Sequence, residues 1–177
     1  MSTASVIVAT GRTTLSTVQK MLEGIAPERF ARLPVSGAGV VSTNHPAWVY
    51  GHLGLYGSHV AKYAGDAATA EAVAAPEGWA DLFAMGSVCQ DDPDGTIYPA
   101  MTTIVEQFGR AYEAALRSVE RADDAVFDRE QPREELREMW PTVGASINFM
   151  LTTHLAVHAG QVSGWRRIEG LGSAFKF

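Results

Sequence analysis

The sequence predicts an all-α protein: a four-helix bundle with a long crossover between the second and third helices. Three observations predict it. Four stretches carry apolar residues at helical spacing, and no strand-like alternation rivals them. The chain has 177 residues, enough for one domain with a real core and too few for two, so residues 1–177 are read as a single domain. The connection between the second and third helices is long enough to cross the bundle, so these two helices could run parallel rather than as a hairpin.

The first helix is expected over 6–25, where Leu15, Val18, Leu22 and Ile25 recur at spacings of three and four. Gly11 weakens its first half, and Pro27, then the Pro34 to Gly39 stretch, mark its end and a linker. The second spans 46–64. Asn44 or His45 can cap it, Pro46 suits its first turn, and Trp48, His52, Tyr56, His59 and Tyr63 lie along one face. Gly65 is placed to stop it. The connection 65–94 holds an alanine-rich piece and a short candidate helix at 76–83, and it ends in the turn-forming run 90–95. The third helix covers 98–122, with Ile104, Phe108, Tyr112 and Leu116 on its inner stripe. The charged segment 123–138 reads as a solvated loop with one or two helical turns. The fourth spans 142–169, where Ile147, Leu151, His154, His158, Val162 and Trp165 share a face and Gly170 ends the helix.

Composition narrows the function classes. The formal net charge is −6, which disfavours nucleic acid as a partner. No apolar run approaches the ~20 residues needed to span a bilayer. The N-terminus lacks the basic and long apolar regions of a signal peptide. Cys89 is the single cysteine, which excludes an internal disulfide, a cysteine-rich zinc site and a CxxC pair, and fits a reducing, cytoplasmic setting. The acidic cluster Asp91, Asp92 and Asp94 lacks the spacing and terminal Glu of an EF-hand loop.

The histidines carry the chemistry. His154 and His158 are four residues apart, hence on one helical face about a turn from each other. Their neighbours on that stripe, Leu151 and Val162, are core residues. Two unpaired imidazoles there would cost roughly 1–3 kcal/mol each, and a shared metal ion would satisfy both. Leu155 stands where the zinc-protease motif needs its Glu, which excludes that chemistry. A third ligand must come from another helix. His45, His52 and His59 share a face but step about 10 Å apart, so one of them at most can join the pair; mid-helix His52 is the natural choice. Three histidines with an open position are the usual plan of a catalytic site rather than a closed structural one. Trp48 and Tyr56, a turn either side of His52, could wall the pocket or simply pack in the core. Gln161 could contact the site from the next turn. Arg166 and Arg167 could bind a carboxylate or complement the end of their own helix.

These residues form a recognisable pattern. Asn44-His45-Pro46-Ala47-Trp48, followed by Gly51-His52-Leu53, resembles the second-helix signature of the DinB-like superfamily. His154, His158 and Gln161 resemble its last-helix HxxxHxxQ signature, and the resemblance extends in order over nearly the whole chain. It implies an up-down-down-up bundle, a homodimer, and a divalent metal, nickel or zinc, held by His52, His154 and His158. Members with known activity include thiol-dependent transferases and isomerases using mycothiol, bacillithiol or glutathione.

The resulting expectation is a metal-dependent enzyme of the thiol-transferase or hydrolase type. It would act on a small-molecule substrate, with a low-molecular-weight thiol as a possible co-substrate. The alternative is a non-catalytic module in which the metal stabilises a helical dimer or a sensor.

Overall fold

The computed structural model describes residues 2–175; the extreme ends of the expected 1–177 domain lie outside the described residues. The protein is mostly helical. Its α-helices are α1 (Thr3–Lys20), α2 (Pro46–Gly54), α3 (Tyr56–Tyr63), α4 (Ala67–Ala72), α5 (Trp79–Phe83), α6 (Met101–Arg121), α7 (Val143–Leu151) and α8 (Thr153–Ile168). A two-residue hairpin, β1 (Val35–Ser36) with β2 (Gly39–Val40), pairs antiparallel in the linker after α1. Its strands are exposed on both faces, which is why no alternation betrays it.

Two of the expected helices are each divided. The second breaks at Leu55, whose N–H bonds to the His52 carbonyl instead of Gly51 one turn back. The Gly51 carbonyl, released from the helical ladder, accepts the indole N–H of Trp79 at 2.8 Å. The fourth breaks at Thr152, which leaves helical geometry (φ −126°, ψ −80°) while its hydroxyl bonds back to the Asn148 carbonyl at 2.6 Å. A Thr bonding to the carbonyl four residues earlier bends helices in this way.

α1 begins earlier and ends earlier than its apolar stripe indicates. Ser2 caps it through the N–H of Ser5, and the distant Asp124 carboxylate accepts from the N–H groups of Thr3 and Ala4. Beyond Lys20 the chain tightens into three-residue turns, and the Met21 and Glu23 carbonyls there accept from the buried guanidinium of Arg166 at 2.9 and 2.6 Å. Arg166 therefore caps α1 rather than its own helix. Gly11, expected to weaken α1, serves packing: a Cβ there would sit 2.9 Å from Leu116 and 3.3 Å from Leu151, so its absence lets three helices meet closely.

A single large apolar core runs along the inner faces of α1, α2, α6, α7 and α8, with Val18, Tyr50, Phe108, Leu116, Ile147 and Trp165 at its centre. Paired residues give the relative directions. Ala4 lies by Asp124 and Gly11 by Leu116. Tyr50 meets Phe108, and Asp66 just past α3 meets Ser118. Asn44 reaches Gln161, whereas His52 reaches His154. The charged segment after α6 contains two single 3-10 turns, as expected, yet it also buries Phe127 and Gln131. Gln131 earns that burial by donating to Ser146 and accepting from Tyr63 and the Arg133 N–H.

Candidate metal centre

The three histidines expected to converge do so. His52 from the middle of α2 and His154 and His158 from α8 each offer one ring nitrogen, and these atoms lie within 4.8 Å of one another. His52 and His158 are buried and His154 half-buried. His45 and His59 stay apart. His45 is fully buried as the cap of α2: its Nδ1 accepts the Trp48 N–H at 3.1 Å and its Nε2–H donates to the Gln90 carbonyl at 2.8 Å. His59 is exposed.

One of the rings has its proton placement fixed by a neighbour that can only accept. The Phe83 carbonyl takes the Nδ1–H of His52 at 2.7 Å, which leaves Nε2 as a lone pair. Phe83 ends α5, and its carbonyl is one of the orphans every helix C-terminus leaves. The side-chain oxygen of Gln161 takes the Nδ1–H of His158 at 2.9 Å and also accepts from the Asn44 amide at 3.3 Å. His154 presents Nε2 to the Nε2 of His52 at 3.3 Å, while its Nδ1 is buried with no partner.

Aromatic rings close the surroundings. Trp48 stacks on His52 with centroids 4.8 Å apart and planes 10° from parallel, and its indole N–H is anchored on Ser87 at 2.9 Å. Tyr56 stands edge-on to both His52 and His154 at 4.9 and 4.7 Å. Both side chains expected near the site are therefore against it. Burial lowers the pKa of His52 to about 4 and of His154 to about 3, with the nearby His158 adding to both shifts; burial lowers that of His158 as well. All three imidazoles are neutral at pH 7, the state a metal ligand needs.

The donor set, three neutral imidazoles, is one that divalent transition metals take. Two nitrogens bound at about 2.0–2.1 Å to one tetrahedral zinc lie about 3.3 Å apart, the separation found between His52 and His154. A trio of neutral rings with one nitrogen left unpaired is poorly satisfied by itself. Among the described residues no fourth His, Cys, Asp or Glu joins the group. The cluster could thus hold one ion with a position to spare.

Other sequence candidates lie elsewhere. Asp91 forms a two-pronged pair with Arg32, and Asp92 accepts the N–H groups of Thr96, Ile97 and Tyr98 ahead of α6. Cys89 accepts the His45 N–H, and burial raises its thiol to about 11, which suits a structural cysteine better than a nucleophile. A hollow of about 420 Å³ opens beside Gln161, with Thr43, Asn44 and Cys89 in its wall. The Phe83 carbonyl and the Asn44 contact to Gln161 are not legible in the residue pattern. A backbone acceptor carries no residue signature, so only the short helix at 76–83 could have hinted at it.

A sequence model described as the DinB superfamily matches residues 11–162, most of the chain, including His52, His154, His158 and Gln161. The chain belongs to the DinB superfamily. No curated protein and no solved structure matches it in parallel comparisons. Membership of the DinB superfamily and the three-histidine cluster are both compatible with a metal-binding protein. No helix among the described residues is long and apolar enough to cross a membrane.

Proposed function

We propose that this DinB protein binds one divalent transition metal, zinc or nickel, through His52, His154 and His158, and that it uses the ion in a thiol-transferase or hydrolase reaction on a small molecule. The observation that carries the reading is the convergence of three neutral ring nitrogens from α2 and α8 with no fourth protein ligand among the described residues. An ion held by three neutral imidazoles keeps its full charge and supplies a Lewis acid, which favours the anionic form of a thiol or water beside it.

The chain's own residues divide the remaining work. The Phe83 carbonyl and Gln161 hold the His52 and His158 rings in the tautomers that turn Nε2 inward. Trp48 and Tyr56 exclude water from the faces of the rings. The hollow beside Gln161 offers amide and hydroxyl groups to the polar part of a substrate. The pairings Ala4 with Asp124, Tyr50 with Phe108 and His52 with His154 support an up-down-down-up four-helix bundle in which α2–α3 and α6 run parallel. The homodimer implied by the family resemblance belongs to the same reading.

The test is a panel of low-molecular-weight thiols, including mycothiol, bacillithiol and glutathione, with an electrophilic acceptor and zinc- or nickel-loaded protein. Turnover that disappears in His154→Ala supports the transferase. Full metal content with no turnover on thiols or hydrolysable esters overturns the catalytic part and leaves the ion a structural staple.

A further inference from the structure

We infer that the crossover helix α5 is a working part of the histidine site: it orients His52 through the Phe83 carbonyl and is itself held in place by Gly51. The inference rests on the metal reading above only for its consequence on affinity.

Three contacts tie α5 and the loop after it to the face of α2 that carries His52. The Phe83 carbonyl accepts from His52 Nδ1–H at 2.7 Å. The Trp79 indole donates to the Gly51 carbonyl at 2.8 Å, at the point where α2 lacks its own hydrogen bond. Further on, Ser87 accepts from the Trp48 indole and donates to the Leu82 carbonyl, both at 2.9 Å. The Phe83 ring, fully buried, lies flat against Gly51, where any Cβ would overlap it. Gly51 is thus the gap that lets the end of α5 approach closely enough for its last carbonyl to reach the ring of the next residue, His52.

A carbonyl can only accept, so this contact dictates which ring nitrogen carries the proton. Without it His52 could hold its proton on either nitrogen, and the tautomer protonated on Nε2 cannot ligate from the inner side. Partners of this kind on the far nitrogen of a metal-binding histidine are typically worth about 10–100-fold in metal affinity. The long connection between α3 and α6 therefore does more than cross the bundle; it carries the group that sets His52.

The experiment combines nitrogen NMR of histidine-labelled, metal-free protein with zinc affinity measured by chelator competition. Wild type is expected to show His52 in one tautomer, protonated on Nδ1. Gly51→Ala, which pushes Phe83 away, is expected to give mixed tautomers and roughly 10–100-fold weaker zinc binding. Gly51→Ala with Phe83→Leu, which restores space, should recover most of both. Trp79→Phe should shift both readouts in the same direction, and it carries the test if Gly51→Ala does not fold. Val119→Ala, a core change remote from α5, should lower thermal stability without altering tautomer or affinity. Wild-type His52 protonated on Nε2, or folded Gly51→Ala with unchanged tautomer and affinity, would overturn the inference. A correct, Gly51-dependent tautomer in a protein that never binds zinc would uphold the positioning by α5 and remove the metal reading instead.

Discussion

His52 and His154, 102 residues apart in sequence, bring their Nε2 atoms to 3.3 Å of each other. The Phe83 carbonyl orients the His52 ring, and Trp48 and Tyr56 pack against the pair. One sits on α2 just before its break at Leu55, the other two residues after the break at Thr152, and the core between α2 and α8 sets their separation.

Removing any one of the three histidines should cost most of the bound metal. His52→Ala, His154→Ala and His158→Ala are each expected to fall from close to one ion per chain to a small fraction of that, by elemental analysis. The metal-free variants should keep the wild-type circular dichroism spectrum, because the helices are held by the apolar core rather than by the rings.

Gln161 should act on metal through His158. Gln161→Leu removes the acceptor for His158 Nδ1–H and is expected to weaken zinc binding by about 10–100-fold. Gln161→Glu keeps an acceptor and should retain affinity. Chelator competition measures both.

Acid should destabilise the metal-free protein in a defined window. The folded-state pKa values of His52 and His154 are lowered to about 4 and about 3, against about 6.5 in the unfolded chain. Above pH 6.5 both states carry neutral rings and the full stability is present. As pH falls below 6.5 the unfolded state takes up protons first, so stability drops by up to about 1.4 kcal/mol per pH unit for each ring, levelling off below the folded values. Denaturant titrations between pH 7 and 4 should show this slope, and His154→Leu should reduce it.

Arg166 should matter for stability and not for metal. Its guanidinium satisfies the Met21 and Glu23 carbonyls where α1 ends. Arg166→Met is expected to cost about 1–3 kcal/mol in chemical denaturation, with metal content unchanged.

Much of this architecture is legible in the residues. Stripes such as Ile104–Phe108–Tyr112–Leu116 fix α6, because a buried face must repeat with the helical period. The HxxxH pair with His52 marks the cluster, because polar rings among Leu151, Leu155 and Val162 need a common partner. The helix breaks are not legible, since they depend on which carbonyl Trp79 or Thr152 captures in the folded chain. The role of Arg166 is hidden for the same reason: its partners lie 143 and 145 residues away. Phe83 reads as a core aromatic, and its decisive atom is a backbone oxygen.

Metal analysis of wild-type protein purified without a nickel column decides whether His52, His154 and His158 hold an ion. Close to one zinc or nickel ion per chain is expected, lost on chelation together with a fall in melting temperature. Protein that carries no transition metal, takes none up from a zinc or nickel solution, and melts identically with and without chelator would contradict that expectation.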